Sequence, residues 1–221
     1  MDAHVIWQQF IEGMKQTSWL EYIAVFTGII SVWFEKNENI WVFPIGLINT
    51  IIYIWISIKG NLFGEASVNF YYTVLNIYGW ILWMKKDAYQ HHVVKVEFSN
   101  ARQWLQQLMF FAFFYVVIFF ILTYLKRSFA PNAIPWADAF ASATAYTGMW
   151  LMAKKKVESW YWWIATNIAS IPLYFVKGYV FVSVYYLILL IMAFFGLIEW
   201  MRRARMNDEL LVVNAKHELY D

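Results

Sequence analysis

Seven stretches of this 221-residue chain, roughly 19–35, 40–58, 66–84, 104–125, 136–153, 160–176 and 180–200, run almost without charge for close to the length of a membrane crossing. A helix that spans the hydrocarbon of a bilayer takes about 20 mostly apolar residues. Lipid offers no hydrogen bonds, so a spanning segment has to satisfy its peptide groups internally, as a helix does. The windows therefore predict an all-α polytopic membrane protein. Composition agrees: the chain is 62% hydrophobic and 14% charged, with 14 Trp, 15 Tyr and 19 Phe. Soluble domains carry about 25% charged residues and have no use for so much apolar surface. The same figures exclude a disordered or fibrous chain. A net charge of +2 leaves no nucleic-acid footprint, and the absence of cysteine removes disulfides, thiolate metal sites and thiol nucleophiles. No signal peptide is read at the start, where Asp2 stands in place of a basic segment.

The windows divide the chain. Residues 1–18 form an amphipathic interfacial segment, in which Ile6, Trp7, Phe10, Ile11 and Met14 recur at helical spacing; a frayed terminus is the plainer alternative. Residues 19–84 make a first three-helix bundle, 85–103 a cytoplasmic loop, 104–125 a linker span, 136–201 a second three-helix bundle and 202–221 a cytoplasmic tail. Basic residues set the direction. Lys15, Lys59, Lys126, Arg127 and Lys177 fall on one side, against twelve on the other, among them Lys36, Lys85, Lys86, Lys154 to Lys156, Arg202 and Arg203. The richer side is expected in the cytoplasm with the C-terminus, leaving the N-terminus outside.

The chain also repeats itself. A shift of about 118 places Lys36 on Lys154, Asn49 on Asn167 and Lys59-Gly60 on Lys177-Gly178. One residue of slippage then brings Gly79 onto Gly196 and Trp83 onto Trp200. Two three-helix units share a membrane direction only if one further span separates them, which gives a 3+1+3 plan with parallel repeats. Chance likeness between apolar segments is the alternative.

Catalytic readings fail. The histidines (His4, His91, His92 and His217) lie in terminal or loop segments. The adjacent His91-His92 pair cannot present both rings on one helix face, as metal ligation at i, i+4 requires. Hydroxyls in the spans have no neighbouring base. Neither a catalytic residue, nor a metal, nor a cofactor is expected. Glu21, Glu65, Asp138 and Glu199 fall at span ends, and windows two, four and six carry no ionisable residue. An ion-driven carrier holds such a group deep in its bundle, so passive carriage is favoured.

Neutral polar residues occupy the depths instead. At about 1.5 Å per residue, Asn49, Asn76 and Asn167 lie within the middle third of their windows. Singly, each suits a contact between helices; three near the midplane suggest a polar solute. Trp160, Trp163 and Asn167 are spaced i, i+3, i+7 on one face, which offers two aromatic planes and then a carboxamide. That face suits a flat, cationic ring; an interfacial tryptophan belt is the other account. Pro44 and Pro172, five residues from Asn49 and Asn167, are expected to kink their helices. Ala137 to Gly148, rich in Ala, Ser, Thr and Gly, reads as a packing helix.

Trp160-x-x-Trp163-x-x-x-Asn167, Asn76-Ile77-Tyr78-Gly79-Trp80 with Trp83, and Gly46-Leu47-Ile48-Asn49 together resemble the signature of the PnuC family of vitamin transporters. The resemblance runs from about Glu21 to Arg203. That family is similar in plan to the SWEET sugar carriers. The resemblance implies facilitated diffusion of nicotinamide riboside, trapped inside by a kinase. It implies that Trp160, Trp163 and Asn167 hold the nicotinamide ring, with Asn49 and Asn69 on the ribose or amide, and it places Asn76 and Glu65 at the site. Glu65 departs from the small polar residue expected there, and Asn69-Phe70-Tyr71-Tyr72 resembles relatives that carry thiamin. The expected setting is the inner membrane, with lipid, a cationic aromatic vitamin or nucleoside, and further copies of the chain as partners. A carrier of thiamin or of another vitamin or nucleoside is the alternative. A non-transporting scaffold or sensor is a second one, and it would move nothing into liposomes.

Overall fold

In the computed structural model of the protein, the structure describes residues 3–59, 63–86, 93–126 and 133–217, with the backbone alone at 3, 63–65 and 211–217. His91 and His92 lie outside these residues, as do the side chains of Glu65 and His217. Eight helices follow one another: α1 Ala3–Gln16, α2 Trp19–Lys36, α3 Val42–Lys59, α4 Phe63–Met84, α5 Ala101–Leu125, α6 Pro135–Ala153, α7 Ser159–Val176 and α8 Val180–His217. Three of them, over Val42–Lys59, Ala101–Leu125 and Val180–Leu210, are long and apolar enough to cross a membrane on that criterion alone. Helix α6 is less apolar because it is rich in small and hydroxyl residues, and these face other helices. Along α6, Ala139, Ala143, Ala145, Thr144, Thr147 and Gly148 are all buried.

Local chemistry explains the ends. Ser18 and Glu21 form a capping box at the start of α2, which gives Glu21 a structural task. Asn100 and Gln103 do the same for α5, so that helix begins at Ala101, ahead of the apolar run at 104. Pro135 opens α6, where its missing N–H costs nothing. Gly178, at φ 82, ends α7; the N–H groups of Tyr179 and Gly178 bond the carbonyls of Tyr174 and Phe175 at 2.9 and 3.0 Å, the pairing a left-handed C-cap provides. Pro172 lies inside α7. Pro44, by contrast, sits in the first turn of α3, where no intrahelical bond is lost, so the kink expected of it has no cause. Beyond residue 200, α8 continues as a polar helix to His217.

Helix α1 meets α2 at a bend of 106° and packs on α8, with the Phe10 and Phe181 rings 5.9 Å apart. Helices α2, α3 and α4 pack in sequence, as do α6, α7 and α8; α5 lies on α6, and the two groups meet through α4 with α6 and α2 with α8. The ends of α2, α4 and α6 and the starts of α3, α5 and α7 gather at one pole, here termed the basic end. There the loop of residues 93–100, most of it exposed, sends one side chain inward. Val96 is fully buried, and the main chain of Glu97 pairs with the α6–α7 loop through Lys155 O and Val157 N at 3.3 and 3.1 Å. Glu158 accepts from Ser99 N and Oγ at 2.9 and 2.7 Å, and Gln107 links Ser99 to Trp162.

Candidate functional site

At the basic end each half closes the other. Gly79 on α4 receives the Phe43 ring from the first turn of α3, and Gly196 on α8 receives the Trp160 ring from the first turn of α7; a methyl group at either glycine would overlap its ring. Trp83 lies edge-on to Phe43 at 4.9 Å and Trp200 edge-on to Trp160 at 5.5 Å. Each indole then reaches across. Trp83 Nε1 donates to Ala153 O, at the end of α6, and Trp200 Nε1 donates to Glu35 O, at the end of α2, both at 3.1 Å. These are helix-terminal carbonyls, past the reach of the i+4 N–H groups of their own helices; Glu35 O also accepts from Glu38 N at 3.0 Å.

An ionic arm lies beside this pair. Lys155 Nζ meets Glu38 Oε2 at 2.9 Å and Arg203 Nη1 meets Glu38 Oε1 at 2.9 Å, while Lys155 also sits over the Trp83 ring at 4.4 Å. Glu38 and Lys155 both hold left-handed backbones, at φ 53 and 52. Such conformations are sparsely populated by residues with a Cβ, and here the two meet in one ion pair between the halves. Burial pushes the Glu38 carboxyl up, but Lys155 and Arg203 more than offset this and hold it below the ordinary carboxylate range.

The three Trp160, Trp163 and Asn167 side chains do share one side of α7, and the structure gives each a different environment. Trp160 is 1% exposed and wedged between Gly196 and Trp200, so it presents no open face. Trp163 is half-buried with its ring over Gly148 of α6. Asn167, one turn deeper, is 3% exposed and makes no hydrogen bond with any described residue. A buried carboxamide without a partner is costly.

The other asparagines are committed. Asn49 Nδ2 donates to Ala24 O at 2.6 Å, tying α3 to α2. Asn76 is buried against Gly46 and donates to Tyr72 O at 3.0 Å within its own helix. Asn69 is half-buried, its carbonyl accepting from Thr73 at 2.9 Å. No hydrogen bond joins Asn167 to Asn49 or Asn76 among the described residues. Of the carboxylates noted in the sequence, Asp138 pairs with Lys177 at 2.6 Å and Glu199 with Arg202 and Arg203 at 2.8 and 2.7 Å.

Sequence reasoning passed over Glu35. At the end of an apolar run beside Lys36 it reads as a solvated end residue, yet it is 4% exposed. Its carboxyl lies alongside the Trp163 indole. Tyrosines flank the same interior from α4 and α6: Tyr71 and Tyr146 approach to 4.3 Å between ring centres, across the seam between the halves.

The chain is similar to known proteins. The profile of a family described as nicotinamide mononucleotide transporter matches residues 18–202. The nicotinamide riboside transporter PnuC of Escherichia coli (strain K12) is 25% identical over 87% of this chain and 89% of its own length. The riboflavin/roseoflavin transporter RibM of Streptomyces davaonensis is 22% identical over 97% and 93%. The crystal structure of the vitamin B3 transporter PnuC superposes with a TM-score of 0.67, at 24% identity, over 92% of this chain and 89% of that one, and so shares its fold. With apolar helices and a family match over most of its length, the chain belongs to the nicotinamide mononucleotide transporter family and is a multi-pass membrane transporter.

Proposed function

We propose that the protein carries nicotinamide riboside across the inner membrane by facilitated diffusion. In this reading α2 to α8 are seven spans, arranged as two parallel three-helix bundles with α5 as linker. The bundles rock about a midplane site, the C-terminus lies in the cytoplasm, and phosphorylation inside traps the substrate. The observation that carries the reading is Asn167. It is a buried carboxamide with no partner among the described residues, one turn beyond the half-buried Trp163. In it a flat, cationic ring stacks on Trp163 while Asn167 reads an edge group. Trp160 supports Trp163 from the core, and Asn49, Asn69 and Asn76 line the approach.

Proteoliposomes test this. Nicotinamide riboside should equilibrate to the same internal level with or without a proton or sodium gradient, and accumulation driven by either ion would sink the uniporter reading. Asn167→Leu should abolish saturable uptake at unchanged thermal stability, whereas Asn49→Leu, which breaks the bond to Ala24, should lower stability. The likeness to a riboflavin transporter over almost the whole chain supports a second reading, in which another vitamin is the cargo. Competition of riboflavin and thiamin against labelled nicotinamide riboside decides between them.

A further inference from the structure

Five buried side-chain atoms lack a hydrogen bond among the described residues, and four of them belong to the first turns of α7 and the end of α2 beside it: Ser159 Oγ, Trp160 Nε1, Trp163 Nε1 and Glu35 Oε1. Their proximity is fixed by the packing around them. Trp200 bonds the Glu35 carbonyl at 3.1 Å and lies edge-on to Trp160 at 5.5 Å. Gly148 touches both the Trp163 ring and the Ser159 main chain. The Glu35 carboxyl lies alongside the Trp163 indole, but Oε1 and Nε1 make no hydrogen bond of ordinary geometry. The fifth is Gln9 Oε1 on α1, and the unpartnered Asn167 carboxamide lies one turn further along α7, whereas folded proteins pair most of their buried polar groups. A concentration of orphans at one spot therefore points to a missing occupant.

The donor set defines what that occupant offers. An indole N–H only donates, a carboxyl oxygen accepts, and a hydroxyl does either. The occupant must thus accept from a donor and donate to Glu35 at once, within walls of indole. A primary carboxamide attached to an aromatic ring has that pattern: its oxygen takes the Ser159 Oγ–H and its NH2 group gives to Glu35 Oε1, while its ring lies against the Trp163 face. We infer that Glu35, Ser159 and Trp163 form the subsite that reads the carboxamide of the transported ring, with Glu35 the residue that demands its NH2 group. The inference rests on the transport reading given above and deepens it, because it names the substrate group recognised one turn from Asn167.

The test compares nicotinamide riboside with 3-acetylpyridine riboside, which keeps the cationic ring and the carbonyl but carries a methyl group in place of NH2. In the wild type the acetyl analogue leaves Glu35 Oε1 unpaired, and it should bind about ten- to a hundredfold more weakly. Glu35→Leu removes the acceptor, so the preference should fall to about twofold, whereas Glu35→Gln keeps an acceptor oxygen and should keep most of it. Equal binding of both ribosides by the wild type, which needs no variant to fold, overturns the inference and makes the cluster a water site. An undiminished preference in Glu35→Leu overturns it as well. If the wild type binds no nicotinamide riboside, the transport reading fails, and the inference falls with it; that outcome is distinct from equal binding of the two.

Discussion

Replacing Trp83 and Trp200 with phenylalanine removes the two donors that reach across the basic end and keeps most of the apolar ring. Each donates to a helix-terminal carbonyl at 3.1 Å, and the side chains are 3% and 0% exposed, so no water takes the place of the lost N–H. A hydrogen bond of this kind contributes about 0.5–1.5 kcal/mol net. Taking about 1 kcal/mol for each, and about 1.4 kcal/mol per factor of ten, either variant shifts the balance toward an open basic end by roughly fivefold. The two rings lie 6.3 Å apart, close enough for their effects to couple. The double variant should therefore fall between about five- and 25-fold, on the same constants. The ion pairs of Glu38 with Lys155 and Arg203 stay in place and limit the opening. The chain has no cysteine, which supplies the assay. Val42→Cys, at the start of α3, places one thiol at a position that is 0% exposed, so a charged thiol reagent reaches it only when this end parts. Labelling in detergent should accelerate by the factors given. Unchanged rates in both single variants and in the double, at unchanged thermal midpoint, would refute the idea that the indole bonds hold this end shut.

Two further outcomes are expected. Gly196→Ala forces a methyl group into the Trp160 ring and should destabilise the protein by about 1–3 kcal/mol, seen as a lower thermal midpoint; an unchanged midpoint would mean that the ring has room to move. Glu38 titrates below its unfolded value, so the stability it adds is fully present above about pH 4.3, the ordinary value for a glutamate, and is lost as the pH falls through its folded value. The thermal midpoint of Glu38→Gln should accordingly lie below that of the wild type at neutral pH and converge with it in acid, and parallel curves would contradict this.

The helices were legible because lipid-length apolar runs leave little choice of structure. Their ends were less so. Helix α5 starts three residues early because Asn100 and Gln103 cap one another, a polar signal that a search for apolar windows discards. Helix α8 runs on past the membrane-length segment because nothing in Arg202 to Glu209 stops a helix. Residues 93–100 read as a solvated loop, yet Val96 is buried, through pairing with a segment about sixty residues away that no local pattern foretells. At the site, the spacing of Trp160, Trp163 and Asn167 gave their shared side. It could not say that Trp160 would be consumed by Gly196 and Trp200, since that depends on α8. Glu35 was invisible for the opposite reason: beside Lys36 it looks like a residue in water, and only the tryptophans packed over it take it out.

The reciprocal indole bonds bear on how such a chain could come to exist. Each half holds one donor, Trp83 or Trp200, and one acceptor, Glu35 O or Ala153 O, and uses both on the other half. Two copies of a single half would hold the same complement, so α2 to α4 alone contain what a two-fold homodimer needs at this end. Joined through α5, the halves meet at the high effective concentration a short tether provides, and they need no longer be alike. The carboxamides show the result of that licence. Asn49 is spent on tying α3 to α2, while its counterpart Asn167 makes no such bond and is the residue we propose for cargo.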